Sequence, residues 1–270
     1  MTNDRYEEFL ALHRQDAPLL VPNPWDVGSA KILESLGFRA LATTSAGFAN
    51  SLGRMDGGVT RDEVLDHCRT LTATTSLPIT ADYENGFGDA PEQVAESVSL
   101  AAETGLAGCS IEDYTGSMDN PIYERALAVD RIRAAADAAH GGPQRLVLTA
   151  RCENFIRGIT DLSDTIERLQ AYQEAGADVL FAPLVVEADQ LRTLVGAVDR
   201  PVNVLATPNA PTVAELGALG VKRVSVGSAF SSVAIGALVS AATELRDEGT
   251  YGFWAQAGPG MGAAHAAFSS

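Results

Sequence analysis

The chain has 270 residues, 46% hydrophobic and 20% charged, the makeup of a globular protein of one large domain or two small ones. Its net charge of -16 and pI of about 4.5 argue against nucleic acid and against anionic membranes as partners. Three widely spaced cysteines, Cys68, Cys109 and Cys152, make neither a disulfide framework nor a zinc site and fit a reducing cytoplasm.

The first stretch, "MTNDRYEEFLALHRQD", has early acidic residues and no long apolar centre, so it does not read as a signal peptide. No later stretch approaches the roughly 20 apolar residues of a membrane-spanning helix. The β-rich runs in chain order are 19–23, 40–45, 78–84, 108–113, 145–153, 178–183, 201–206 and 223–227. Helical patterns fall between and after them, near 27–36, 61–75, 91–104, 124–139, 163–175, 187–197, 212–219 and 229–247. Several end in glycine just before the next strand, as in "ESLGF" and "QEAGAD", where a left-handed residue terminates a helix.

The strand runs are nearly continuous in apolar residues. Both faces are therefore buried, which indicates a parallel sheet. Eight βα units in one chain predict an α/β protein with a (β/α)8 (TIM) barrel, 1–270 forming a single domain with a C-terminal helix and frayed tail over about 248–270. A doubly wound open sheet is the alternative, but "VPNPWDVGS" after the first strand is not a Gly-rich phosphate loop.

In such a barrel the catalytic face lies at the C-terminal ends of the strands. Strand two ends in Thr44, Ser45, Ala46 and Gly47; strand three in Asp82 and Glu84; strand four in Glu112 and Asp113; strand five in Arg151, Cys152 and Glu153. Alternation along a strand turns Asp82 and Glu84 to one side. Asp82, Glu84 and Glu112 are hard oxygen ligands that suit Mg²⁺ with several waters retained. Arg151 is a planar fork suited to a substrate carboxylate. Metal plus arginine points to a small anionic oxo-acid whose carbonyl is polarised toward an enolate. The four histidines, His13, His67, His140 and His265, fall on helices, helix ends or the tail and are expected at the surface, which disfavours a zinc site or a Ser-His-Asp triad. Cys68 and Cys109 read as packing residues, and Cys152 turns away from the barrel axis.

The motifs "NPWDVGSAKILESLGF", "TTSAGFANSLGRMD", "ADYENGFG", "SIED" and "TAR" resemble the isocitrate lyase/phosphoenolpyruvate mutase superfamily over nearly the whole chain. That resemblance implies a Mg²⁺-dependent barrel (Mn²⁺ being an alternative) whose eighth helix swaps onto a neighbouring subunit. It implies a homo-oligomer, a dimer of dimers, acting on a small carboxylate substrate. It implies making or breaking C–C or P–C bonds through an enolate-type intermediate. By position, Asp82, Glu84 and Glu112 would serve the metal. Thr44, Ser45 and Ala46 would hold the substrate carboxylate, with Trp25 and Asn203 also in the substrate site. Asp56 would stand beside the reacting centre and Arg151 would be the substrate arginine.

The chain departs from that pattern in its lid. Where isocitrate and methylisocitrate lyases carry Lys-[Lys/Arg]-Cys-Gly-His, this chain reads "YTGSMDNPIYE", with Met118 in place of the lysine and Asn120 in place of the cysteine. An asparagine there resembles the phosphoenolpyruvate mutase and phosphonopyruvate hydrolase branch, so Asn120 is a candidate catalytic residue. Strand six ends in Ala182-Pro183 where lyases show Pro-Glu. The expected function is Mg²⁺-dependent C–C cleavage or decarboxylation of a 2-oxo- or 2-hydroxy-carboxylate, without true isocitrate lyase activity. The alternatives are a phosphonopyruvate-type P–C mutase or hydrolase, and a catalytically weak oxo-acid-binding protein.

Overall fold

A computed structural model describes residues 4–269. Its frame is eight parallel strands: β1 (Leu19–Val21), β2 (Leu41–Ala42), β3 (Ile79–Asp82), β4 (Gly108–Glu112), β5 (Val147–Arg151), β6 (Val179–Phe181), β7 (Val202–Leu205) and β8 (Arg223–Ser225). Neighbours along the sheet run β1-β8-β7-β6-β5-β4-β3-β2. No ladder joins β1 to β2; that seam is bridged by the Ala42 amide donating to the Pro22 carbonyl at 3.1 Å and by Asn23 Nδ2 donating to the Thr43 carbonyl at 2.8 Å. The fold is the (β/α)8 barrel expected from the eight apolar runs.

The paired strand segments are shorter than the predicted runs, because β-type residues continue past the last ladder bond into the loops that build the site. Each of the eight predicted helices is present: α2 (Val27–Ser35), α4 (Arg61–Thr72), α5 (Pro91–Ala102), α6 (Arg125–Gly141), α7 (Leu162–Glu174), α8 (Ala188–Gly196), α9 (Val213–Ala218) and α10 (Ala229–Asp247). Their starts are written in the chain. Asp26, Thr60, Asp161 and Thr212 each cap a helix by accepting from the backbone amide three residues on.

Two helices, α1 (Asp4–Leu12) and α3 (Ser45–Ser51), escaped the periodicity. Helix α1 covers the N-terminal end of the barrel, where Tyr6, Phe9 and Leu12 pack with Leu19, Val21, Ala107, Val147 and Val179. Helix α3 starts directly at the mouth of β2. Its Gly47 leaves room for close packing, since a Cβ there would lie 2.6 Å from Thr44 Cγ2 and 3.1 Å from Trp25 Cβ. Helix α11 (Trp254–Phe268) is the expected C-terminal helix and is longer than expected: it runs to Phe268 despite Pro259 and packs on α2, with Ala267 buried.

The histidines also differ from expectation. His13 is 1% exposed, His67 stacks on Phe48 at 3.8 Å between ring centroids, and His140 is half-buried against Asp178. Only His265 is exposed. Helical position alone conceals which face turns inward. All three cysteines are buried and free.

Candidate active site

Strand register brings the acidic and basic residues together. Asp82 is in register with Ser110 and Thr149, and Glu112 with Arg151 two residues further on, so β3, β4 and β5 bring these groups to the same end of the barrel. Beyond Asp82 the strand pattern stops. Glu84 is left-handed, with φ of 49°, a conformation uncommon for any residue but glycine. The expectation that strand alternation aligns Asp82 with Glu84 is therefore corrected: a turn, not a strand, orients Glu84. Its carbonyl accepts the Glu112 amide at 3.0 Å, and Gly86 at φ 80° completes the turn beneath Val94 and Ile111.

Arg151 is the hub. Its Nη1 donates to Asp82 Oδ1 at 2.7 Å, its Nη2 lies 3.1 Å from Glu112 Oε2, and its Nε and Nη2 reach Glu153 Oε1 at 3.1 and 2.8 Å. The other Asp82 oxygen accepts from the Ser45 amide at 3.0 Å and the Ser45 hydroxyl at 2.8 Å. Burial opposes charge on Arg151, but Glu153, Glu112 and Asp82 more than offset it and raise its pKa well above the usual arginine value. Burial, reinforced by Asp82 and Asp56, pushes Glu84 up to about 7. Burial and Glu153 likewise push Glu112 well above the ordinary carboxylate range, against the pull of Arg151.

The consecutive pair Glu112-Asp113 splits across the strand. Glu112 faces the cavity side. Asp113 faces α7, where its oxygens accept from Tyr172 Oη at 2.6 Å and the Glu153 amide at 2.7 Å. Asp113 thus fixes the backbone that carries Glu153, and Glu153 fixes Arg151. Arg157 Nη2 reaches Glu153 Oε2 at 3.3 Å while its guanidinium lies 3.5 Å over the Tyr114 ring, tying this network to the loop after β4.

A cavity of about 190 Å³ opens above the strands, lined among others by Thr44, Ser45, Ala46, Asp56, Asp82 and Arg151. Those six expected residues are brought together. Glu84 and Glu112 stand behind Asp82 and Arg151. Trp25 packs against α3 rather than lining the cavity, and Asn203 is buried, donating to Ser225 Oγ at 3.0 Å and accepting from Arg223 Nε at 2.9 Å. Asn120 is exposed on the loop between Tyr114 and Ile122, which pair as an isolated bridge, and lies outside the cavity lining.

Sequence reasoning named Asp113 and Glu153 at strand ends without giving them a role, and left out Thr43 and Arg223. The role of Glu153 could have been found: it stands two residues past Arg151, on the same side of an extended chain. Arg223 could not, because it sits at the start of a strand, away from the catalytic end.

Among the described residues no three acidic, histidine or cysteine side chains are arranged as a ready cage for a metal ion. The donor chemistry nonetheless suits a hard divalent cation held partly through water. Glu84 and Glu112 are both disfavoured as anions where they stand, and a 2+ charge beside them would reverse that.

Residues 9–246 match the family model described as phosphoenolpyruvate phosphomutase. The chain is 36% identical over 241 residues to an uncharacterised protein of Mycobacterium tuberculosis strain H37Rv, covering 88% of this chain and 89% of that one. It is 34% identical over 202 residues to the 2-methylisocitrate lyase of Escherichia coli K12, covering 72% and 67%. Among solved structures, a putative lyase/mutase from Burkholderia cenocepacia J2315 superposes with a TM-score of 0.89 at 52% identity, covering 92% and 90%. Oxaloacetate acetylhydrolase in complex with its product oxalate superposes with a TM-score of 0.81 at 27% identity, covering 92% and 89%. By motif, fold and family model alike, this chain belongs to the phosphoenolpyruvate mutase/isocitrate lyase superfamily.

Proposed function

We propose that the protein is a divalent-metal-dependent lyase that breaks a C–C bond in, or decarboxylates, a small 2-oxo- or 2-hydroxy-carboxylate. The observation that carries this reading is Arg151 clamped by Asp82, Glu112 and Glu153 at the mouth of a small polar cavity. The similarity to 2-methylisocitrate lyase and to oxaloacetate acetylhydrolase supports the substrate class.

Asp82, Glu84 and Glu112 would hold the cation, Mg²⁺ or Mn²⁺, directly or through water. Bound there, the ion would polarise the substrate's oxo or hydroxy group. Ser45 keeps Asp82 in place. Arg151 orients a substrate carboxylate and neutralises the acidic cluster behind it. Thr44 and Ala46 would shape the rim, and Asp56, exposed on the loop after α3 and lining the cavity, would meet the substrate from above. Asn120 and the loop 114–122 would close over the ligand and keep water from it.

The working form is a homo-oligomer in the cytoplasm, with residues 1–270 as one domain. Helix α10 supports this: Phe230, Val233, Ile235, Leu238 and Val239 are exposed on it, and Ser231 is its one buried residue among those described. Covering of that helix by a second copy, as in an exchange of the eighth helix within a dimer of dimers, would bury this surface. No helix among the described residues is long and apolar enough to cross a membrane.

The family model's description favours P–C chemistry as a second reading. The loop 114–122 lacks a lysine to serve a phosphonate, which sets that reading second. The test is turnover of a panel with Mg²⁺: oxaloacetate, methylisocitrate, a citramalate-type acid and phosphonopyruvate. Formation of a carboxylate fragment or CO₂ from one of the first three supports the lyase. Turnover of phosphonopyruvate alone supports the second reading. Thermal stabilisation without turnover identifies an oxo-acid-binding member.

A further inference from the structure

Arg223 begins β8 yet its guanidinium reaches across the inside of the barrel. Nε donates to Asn203 Oδ1 at 2.9 Å and Nη1 to Thr149 Oγ1 at 3.0 Å. Thr149 is in register with Ser110, and Ser110 with Asp82, so this charge stands at the level of Asp82, two residues below the Glu112–Arg151 pair. The side chain is 4% exposed, and among the described residues no carboxylate forms an ion pair with it. A buried arginine with only neutral partners is costly and needs a reason. Burial, with Arg151 nearby, lowers its pKa to about 9.

Two further facts point into the cavity. Arg223 lines it, together with Thr80 and Ser110. Thr80 is 3% exposed, and its hydroxyl is buried without a hydrogen-bond partner. Arg151, the other cation of the cavity, is already matched by three carboxylates. Arg223 is therefore the cation of the cavity whose charge no carboxylate among the described residues offsets. The cavity of about 190 Å³ holds roughly six waters' share of liquid, enough for a small dicarboxylate.

We propose that Arg223, with the Thr80 hydroxyl, forms an anion subsite on the cavity floor that takes one carboxylate of the substrate and selects dianionic over monoanionic acids. The inference deepens the function proposed above and rests on it. It adds to Arg151, which orients one carboxylate from within its own ion pairs, a second cation whose charge is not offset by a carboxylate among the described residues.

The test uses full-length protein with Mg²⁺ and two ligands of nearly the same shape, oxalate and oxamate, which differ by one negative charge. Titration calorimetry should show oxalate affinity falling tenfold or more in Arg223→Met, oxamate affinity falling less than threefold, and Arg223→Lys restoring most of the preference. Equal losses for both ligands would mark a structural role and overturn the proposal, as would oxalate binding within twofold of wild type. If Arg223→Met does not fold, Thr80→Val carries the test, with oxalate affinity expected to fall threefold or more at an unchanged melting temperature; unchanged affinity overturns the subsite. Wild-type protein that binds neither acid would instead remove the underlying function, a result distinct from wild-type binding that Arg223→Met retains.

Discussion

Glu153 and Arg151 are locked by two bonds to a single oxygen, from Nε at 3.1 Å and Nη2 at 2.8 Å, and Glu153 is fully buried. The pair sets where the guanidinium points. Glu153→Gln keeps the shape and removes the charge, leaving Arg151 and Arg157 short of a partner. Breaking a buried pair costs roughly 3 kcal/mol. Urea unfolding should show a loss of that order, and oxalate binding should weaken at least tenfold because Arg151 is no longer held. A loss below about 0.5 kcal/mol, within the range of ordinary surface substitutions, would show that Glu153 is dispensable.

Cation binding should depend on pH in a defined direction. Glu84 is raised to about 7, above its ordinary value of 4.5, so the folded state holds a proton that the unfolded state has released between those limits. Without a cation, stability from this group therefore falls as pH rises from about 4.5 to about 7. A divalent ion competes with that proton, so Mg²⁺ should raise the melting temperature more at pH 8 than at pH 5.5. Glu84→Gln should flatten the difference; equal stabilisation at both pH values would contradict the assignment.

Acid should unfold the protein through two buried imidazoles. Burial, with the Arg223 charge, lowers His13 to about 3, and burial lowers His67 to about 4. Both stay neutral in the folded state while the unfolded chain protonates near 6.5. Stability is then complete above 6.5 and is lost as pH falls toward those values. At pH 5 the cost from His13 is about 2 kcal/mol, with a comparable or smaller share from the less buried His67. The double replacement His13→Gln, His67→Gln should shift the acid-unfolding midpoint downward by circular dichroism. An unchanged midpoint would place the acid sensitivity in the carboxylate network instead.

Helix α10 offers a prediction on assembly. Val233 is 70% exposed and Leu238 69% exposed. Val233→Asp with Leu238→Asp should convert an oligomer to monomer, read by light scattering after size exclusion. A wild-type protein already monomeric at 50 μM (roughly the concentration at which a weak association shows) would refute the covering of α10.

The barrel was legible because parallel strands buried on both faces leave an unbroken apolar signature, and because helix starts at Asp26, Thr60, Asp161 and Thr212 carry capping side chains. Asp82, Arg151 and Ser45 were legible because functional groups collect at strand ends, and Asp56 only through the family motif "LGRMD". The turn at Glu84 was not: a left-handed backbone at a non-glycine residue is imposed by tertiary contacts and leaves no local trace. Helix α1 was missed because its short pattern is stabilised by capping the barrel floor through Tyr6, Phe9 and Leu12. Arg223 was missed because its chain spans the barrel from the wrong end, a relationship visible only when β8 and β5 face one another.

The central claim is a divalent ion seated among Asp82, Glu84 and Glu112. Its most direct test is a crystal grown with Mn²⁺ and oxalate, with diffraction collected to record the anomalous signal of manganese. The account predicts one strong peak at the strand tops, bonded to Asp82 and reached through water by Glu84 and Glu112, with oxalate on the same ion and Asp82→Asn abolishing the peak. A cavity holding oxalate with no ion beside those carboxylates, or an ion bound elsewhere on the barrel, would contradict it.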